Sequence, residues 1–403
     1  MGRLLAVVLA VAMAVPAGAL PHPDAPACEI FPADNVWRAD VSSLPVHPRS
    51  GDWVASMGGP ARRLHPDFGP SDGPQPYGIP FEVVPGDHPK VSLSFLYEDE
   101  SDPGPYPFDA DTPIEGLSDR HALMLDRDAC VLYELYDAEH DPSGSTAGSG
   151  AIFDLTSNAL RPPTWTSADA AGLPIFPGLI RRDEVEAGAI DHAIRMTASR
   201  TDRRFVWPAR HQAGAADDPT LPPMGARFRL KAGFDLDGYL AETRVILRAM
   251  RTHGLIVADN GSDWYFGGAA EDGWDTEVLD ELKSIPAAAF EAVDTSSLKV
   301  DPDSGQAKLP VSLSSSLARR RIRAGRATTI TGDVTPPHPG QQVVLKRRRD
   351  GRWRTVDRRT LTSGGFSFRV RPRRTAVYRA FKPADGDHHA AAGRTLRLRV
   401  RSG

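Results

Sequence analysis

The chain has 403 residues, is 40% hydrophobic and carries a formal net charge of −4. That length supports a large core and two domains. Two cysteines exclude a multi-thiolate zinc site, so a metal would need His and carboxylate ligands; neither metal nor cofactor is expected. The small net charge hides a division. Residues 310–403 hold 23 Lys+Arg against 5 Asp+Glu, a net of +18, leaving 25 basic and 47 acidic residues before them, a net of −22. Two domains of opposite charge are expected, and the basic one suits a polyanion. A wall polymer or acidic polysaccharide is favoured over nucleic acid.

Residues 1–19 read as a secretory signal, with Arg3, an apolar run, Pro16 and the small-residue cleavage site Ala17-Gly18-Ala19. No later apolar run is long enough to span a bilayer, so a secreted or surface-associated protein without a transmembrane segment is expected. In that compartment an even cysteine count favours a disulfide between Cys28 and Cys130.

Residues 20–80, rich in Pro, Gly and Asp, read as irregular wrapping anchored by Trp37 and Trp53. Strands are expected at IPFEVV (79–84) and VSLSFLY (91–97), followed by an acidic, proline-rich loop at 98–116. HALMLD (121–126) and CVLYELY (130–136) form the clearest hairpin. IDHAIRMT (190–197) and ARFRLK (226–231) alternate as strands with one buried and one polar face. In DLDGYLAETRVILRAMRTHG, apolar residues at three- and four-residue spacing predict a helix ending at Gly254. LIVADNGSDWYFGG (255–268) reads as strand, turn, strand; a shorter helix opens near Asp275, and FEAVD (290–294) closes the domain. The main domain, 20–294, is thus expected to be mainly β, sandwich- or jelly-roll-like with one or two helices, with a mixed α+β fold as the alternative. A polar linker, 295–310, leads to strand-sized segments at 311–403, the rhythm of a small Ig-like sandwich.

Two resemblances accompany this reading. FPADNVWRADVSSLPVHP, DRHALMLD, GSGAIFDLTSN, FVWPARH, PPMGARFRLK and IVADNGSDWY resemble segments of a family of secreted actinomycete-type bacterial proteins, over about residues 28–295. This implies export and a single domain and transfers no catalytic residue. GDV-x-P…G-QQVVLKRRRDGRWRTV…GGFSFRV…VYRA resembles the Ig-like modules appended to secreted bacterial proteins. That implies a fold and no chemistry.

No Gly-x-Ser-x-Gly elbow, phosphate-binding glycine loop or His-Glu-x-x-His helix is present. The candidates are therefore single residues. His192 shares a face with Ile190, Ile194 and Met196 and is expected in the core; His211, at a strand end before a Gly/Ala/Asp loop, is the better titratable group. Asp119, Glu134 and Asp259 are candidates for an acid/base pair of the glycoside-hydrolase kind. Arg195, Arg227 and Arg229 form a cationic row. It fits either cross-strand pairing with carboxylates such as Asp191 or a cleft for an anionic ligand. Asn260, Trp264 and Tyr265 join polar and aromatic groups as sugar-binding sites do, and six of seven Trp lie in the main domain. The expected function is action on extracellular polysaccharide as a hydrolase or lyase, with a basic attachment domain. The alternative is a non-catalytic wall- or polysaccharide-binding protein.

Overall fold

A computed structural model describes residues 21–71, 76–116 and 119–401; the expected signal segment lies outside them. The chain is mainly β and divides into two compact units, up to Gln306 and from Ala307. Among the described residues no helix is long and apolar enough to cross a membrane.

Two sheets organise the first unit. The four-stranded one runs Phe81–Val84, Ala122–Asp126, Val131–Tyr136, Ser149–Asp154. Its central hairpin is the one expected, with Ala122 opposite Leu135 and Asp126 opposite Val131. Asp126 closes the turn by accepting from the backbone N–H of Asp128 (3.1 Å) and Ala129 (2.9 Å), so the side chain supplies what the bending backbone lacks. Cys130 follows that turn and is bonded to Cys28 with a Cα–Cα distance of 5.2 Å. Closing a loop of that size stabilises the fold by roughly 4–5 kcal/mol in the chain-entropy model.

The six-stranded sheet is mixed, in the order His65–Asp67, Tyr265–Gly267, Ile194–Ala198, Leu255–Asn260, Arg227–Leu230, Phe290–Val293. The strands at 255–260 and 265–267 do not pair with each other; they flank Ile194–Ala198 on either side. The predicted long helix is Ala241–Thr252, with Val245, Ile246, Leu247, Ala249 and Met250 buried. It stops at Gly254, where φ is +77° and a Cβ would lie 2.3 Å from the Phe228 carbonyl oxygen, leaving no room for a side chain. The shorter helix, Thr276–Ser284, starts where Asp275 accepts from the Glu277 N–H.

Every residue of Ile194–Ala198 and of Arg227–Leu230 is buried, so this sheet is covered on both faces. The segment 36–44, a 3-10 turn at Val36–Arg38 followed by irregular backbone, lies over the arginines with the carbonyls of Val36, Val41 and Leu44 turned toward them. The stretch expected as a linker divides: its part up to Gln306 is bound into the first unit, with Gln306 donating to Asp34 (2.7 Å) and Asp303 pairing with Arg210 (2.8 Å).

The second unit is a sandwich. One sheet holds Ser312–Leu313, Ser316–Leu317, Thr328–Thr335 and Gly365–Val370. The other, six-stranded, runs Arg321–Arg323, Leu396–Arg401, Ala376–Lys382, Gln342–Arg349, Arg352–Thr360, with the short Ala391–Ala392 also pairing with Ala376–Lys382. Ile330, Val343, Leu345, Phe368, Tyr378 and Leu398 fill the space between, as period-two alternation requires.

Candidate functional site

A cleft of about 430 Å³ opens in the first unit where the two sheets end. Tyr136 and Ser149 reach it from the four-stranded sheet, Asp259 and Asn260 from the end of Leu255–Asn260. Loops bring Tyr97, Asp119, Ser167 and His211, and the single-turn 3-10 helix Glu98–Glu100 brings Glu100. The lining thus carries three carboxyl groups and one imidazole, and no Lys or Arg.

His211 is fixed by its Nδ1, 2.8 Å from the Ala170 carbonyl oxygen. Only an N–H can serve that oxygen, so in the neutral ring Nε2 is the acceptor; it faces Glu100 Oε2 at 3.8 Å. Asn260 donates to the Ala213 carbonyl (2.8 Å) and accepts from Thr201 Oγ1 (2.9 Å). Its amide therefore pins the loop that carries His211. The Ser149 and Ser167 hydroxyls donate to backbone carbonyls, Ser149 to that of Ser167 (2.7 Å) and Ser167 to that of Leu173 (2.6 Å), which leaves neither activated as a nucleophile.

Asp259 has the most altered acidity in the cleft. Burial, then the charge of Asp169, pushes its carboxyl up to about 8, against the opposing pull of Arg195 and His121. Its Oδ1 accepts from the Asn260 N–H at 2.7 Å, which leaves Oδ2 to carry the proton. Beneath lie further buried groups. Asp169, fully buried, binds Arg195 through Nε (2.8 Å) and Nη2. In His121 burial opposes protonation, but the hydrogen bond and charge of Glu115 outweigh it and raise the ring to about 9. Burial lifts Glu134 to about 7, against the N–H groups of Phe176 and Ile175 that its carboxyl accepts from. Carboxyl groups outnumber cations here, and excess negative charge buried away from water is relieved by retained protons.

The structure separates the remaining candidates from this cleft. Glu134 is fully buried on the backbone of 175–176 and reaches no ligand. Arg195 is closed off by Asp169. Arg227 donates to the carbonyls of Val36 (2.9 Å) and His253 (2.6 Å), and Arg229 to those of Val41 and Leu44 and to Glu291 (2.8 Å). The expected cationic row is thus structural, tying the 36–44 segment to the sheet; its alternation reflects two covered faces rather than one wet one. Trp264 is fully buried and donates to Met57 O, and Tyr265 stacks on His65 at 4.0 Å. Trp37, Trp53 and Trp274 are buried anchors as well, and the aromatic rings of the cleft are Tyr97 and Tyr136. His192 lies in the core against Glu184 (3.1 Å).

Sequence reasoning missed Tyr97, Glu100, Tyr136 and Asp169. Glu100 ends a 3-10 turn in a stretch whose composition signalled only irregularity, and Asp169 in a short SADAAG stretch has no local signature. A cation could also be held, among the described residues, by His338, Asp385 and His388 in the second unit. There Lys382 Nζ already lies 2.5 Å from Asp385, supplying the positive charge that carboxylate needs. No family model matches the chain, and no curated protein matches it significantly.

Proposed function

We propose that this is a secreted hydrolase of neutral polysaccharide, whose basic second unit holds it at an anionic surface. The observation that carries the reading is the meeting of Asp119, Asp259, Glu100 and His211 in one cleft, where burial and the charge of Asp169 push the Asp259 carboxyl up to about 8. A glycosidic bond needs an acid to protonate the departing oxygen and a carboxylate on the other side of the sugar. Asp259 Oδ2 gives its proton to that oxygen as the C–O bond breaks. Asp119 takes a proton from the water that attacks the anomeric carbon. Tyr97, half exposed, offers a ring for the sugar face, and His211 Nε2 accepts from a hydroxyl. An acidic lining without Lys or Arg favours neutral sugar over uronate, which those carboxylates would repel.

The test is reducing-end release by the full chain from a panel of neutral polysaccharides, with Asp259→Asn alongside. Turnover lost in Asp259→Asn supports the reading. Binding without turnover, unchanged in Asp259→Asn and His211→Ala, would instead make this a saccharide-binding protein.

A further inference from the structure

We infer that the outer face of the six-stranded sheet in the second unit is a binding surface for an anionic polysaccharide. The inference deepens the attachment role proposed above and rests on it. Strand register puts like charges directly opposite each other: Arg321 against Arg399, Arg323 against Arg401, Lys346 against Arg379. Ile322, Leu398, Tyr378 and Ala380, which alternate with them, point into the core, so these six cations share the outward face. Arg397 and Arg348 extend it, opposite Val377 and Trp353. Like charges opposite one another destabilise a sheet, so fold stability gives no reason for this arrangement.

Nothing on the face neutralises it. Of the five carboxylates in residues 310–403, Asp333 lies in the other sheet and Asp350 in a hairpin turn. Asp357 stands opposite core residue Leu345 and pairs with Arg359, while Asp385 and Asp387 are in a loop. Among the described residues none of the face cations forms an ion pair with a carboxylate. Backbone positions about 4.8 Å apart across strands and about 6.7 Å apart along them set these cations, mostly arginines, in a grid whose guanidinium forks suit carboxylate, sulfate or phosphate groups.

The aromatic residues decide the kind of polyanion. Trp353 is covered by Arg379 at 4.7 Å, and Phe381 by Lys346 at 3.5 Å. Rings capped by cations offer no platform for bases, which single-stranded nucleic acid binding depends on. A glycan chain needs only the charged grid.

The experiment measures binding of the full chain to polygalacturonate at two salt concentrations, with dextran, duplex DNA and anionic vesicles as comparisons. Arg397→Glu/Arg399→Glu changes the face. Arg369→Glu/Arg371→Glu makes the same charge change at and just beyond the Gly365–Val370 strand, outside this sheet. Melting temperatures no lower than that of the parent chain check folding, since Arg399→Glu replaces a like-charge pair with Arg321 by an opposite-charge one, and Arg397→Gln/Arg399→Gln provides a milder second pair. Expected is salt-sensitive binding to polygalacturonate, weakened at least about ten-fold by the face pair and less than about two-fold by the control pair. Equal weakening by both pairs overturns the face assignment and leaves attachment standing. Absence of polygalacturonate binding, or binding to DNA or vesicles alone, overturns the attachment role for glycans as well.

Discussion

Asp169 and Arg195 meet as a two-point ion pair in which the carboxylate has no solvent contact and the guanidinium almost none. Neither side chain can lose its partner cheaply, because the one left behind is a buried uncompensated charge. Asp169→Asn should therefore destabilise the first unit by about 3–5 kcal/mol, read by urea denaturation. Replacing both by apolar residues should cost less than the single change. The same substitution removes the charge that, after burial, raises Asp259, so any pH-dependent activity should move to lower pH.

Stability should fall as pH rises from 6 to 9. Glu134 and Asp259 are raised to about 7 and about 8, against roughly 4.3 and 3.9 unfolded, so the folded state binds the extra protons and loses that advantage with rising pH. His121, raised to about 9 against roughly 6.5 unfolded, contributes stability that is complete below 6.5 and gone above 9. All three act in the same direction. Melting temperatures across that range check it, and Glu134→Gln should flatten the curve most below pH 7.

Catalysis should require Asp259 protonated. Asp259→Asn should lower turnover by about 10²–10⁴-fold with little change in saccharide binding. The wild-type rate should decline on the alkaline side near pH 8. A rate–pH profile from 5 to 10 on a neutral oligosaccharide measures both.

Arg227 and Arg229 should behave as structural residues. Arg227→Ala removes the guanidinium that binds the carbonyls of Val36 and His253 in a buried place, leaving Val36 only the Ala39 N–H, and should cost about 2–4 kcal/mol, read by denaturant midpoint. Saccharide affinity of the folded fraction should not change.

Much of the architecture can be read before the structure is seen, and the reasons are local. The hairpin at 122–136 combines strict alternation with Asp126, a residue that caps its own turn. The helix at 241–252 has one apolar stripe and ends at a left-handed position that favours glycine. Alternation misleads at 227–230. Period two says that a strand has two faces and cannot say whether another segment covers the second, as 36–44 does. Likewise an Asn-Gly turn between 255–260 and 265–267 suggests adjacent strands, yet Ile194–Ala198 lies between them. Asp119, His211, Asp259 and Asn260 stand out individually by position and chemistry. Their convergence depends on contacts between residues as far apart in sequence as Glu100 and His211, which no local pattern encodes.

The bond between Cys28 and Cys130 turns residues 28–130 into a covalent ring. Tyr97, Glu100 and Asp119 belong to the ring, whereas His211, Asp259 and Asn260 do not. Each wall of the cleft is therefore under different covalent control. A chain kept in a reducing compartment would retain the second wall on its buried sheet while the first depended on packing alone, so formation of this disulfide is the step at which both walls become equally fixed.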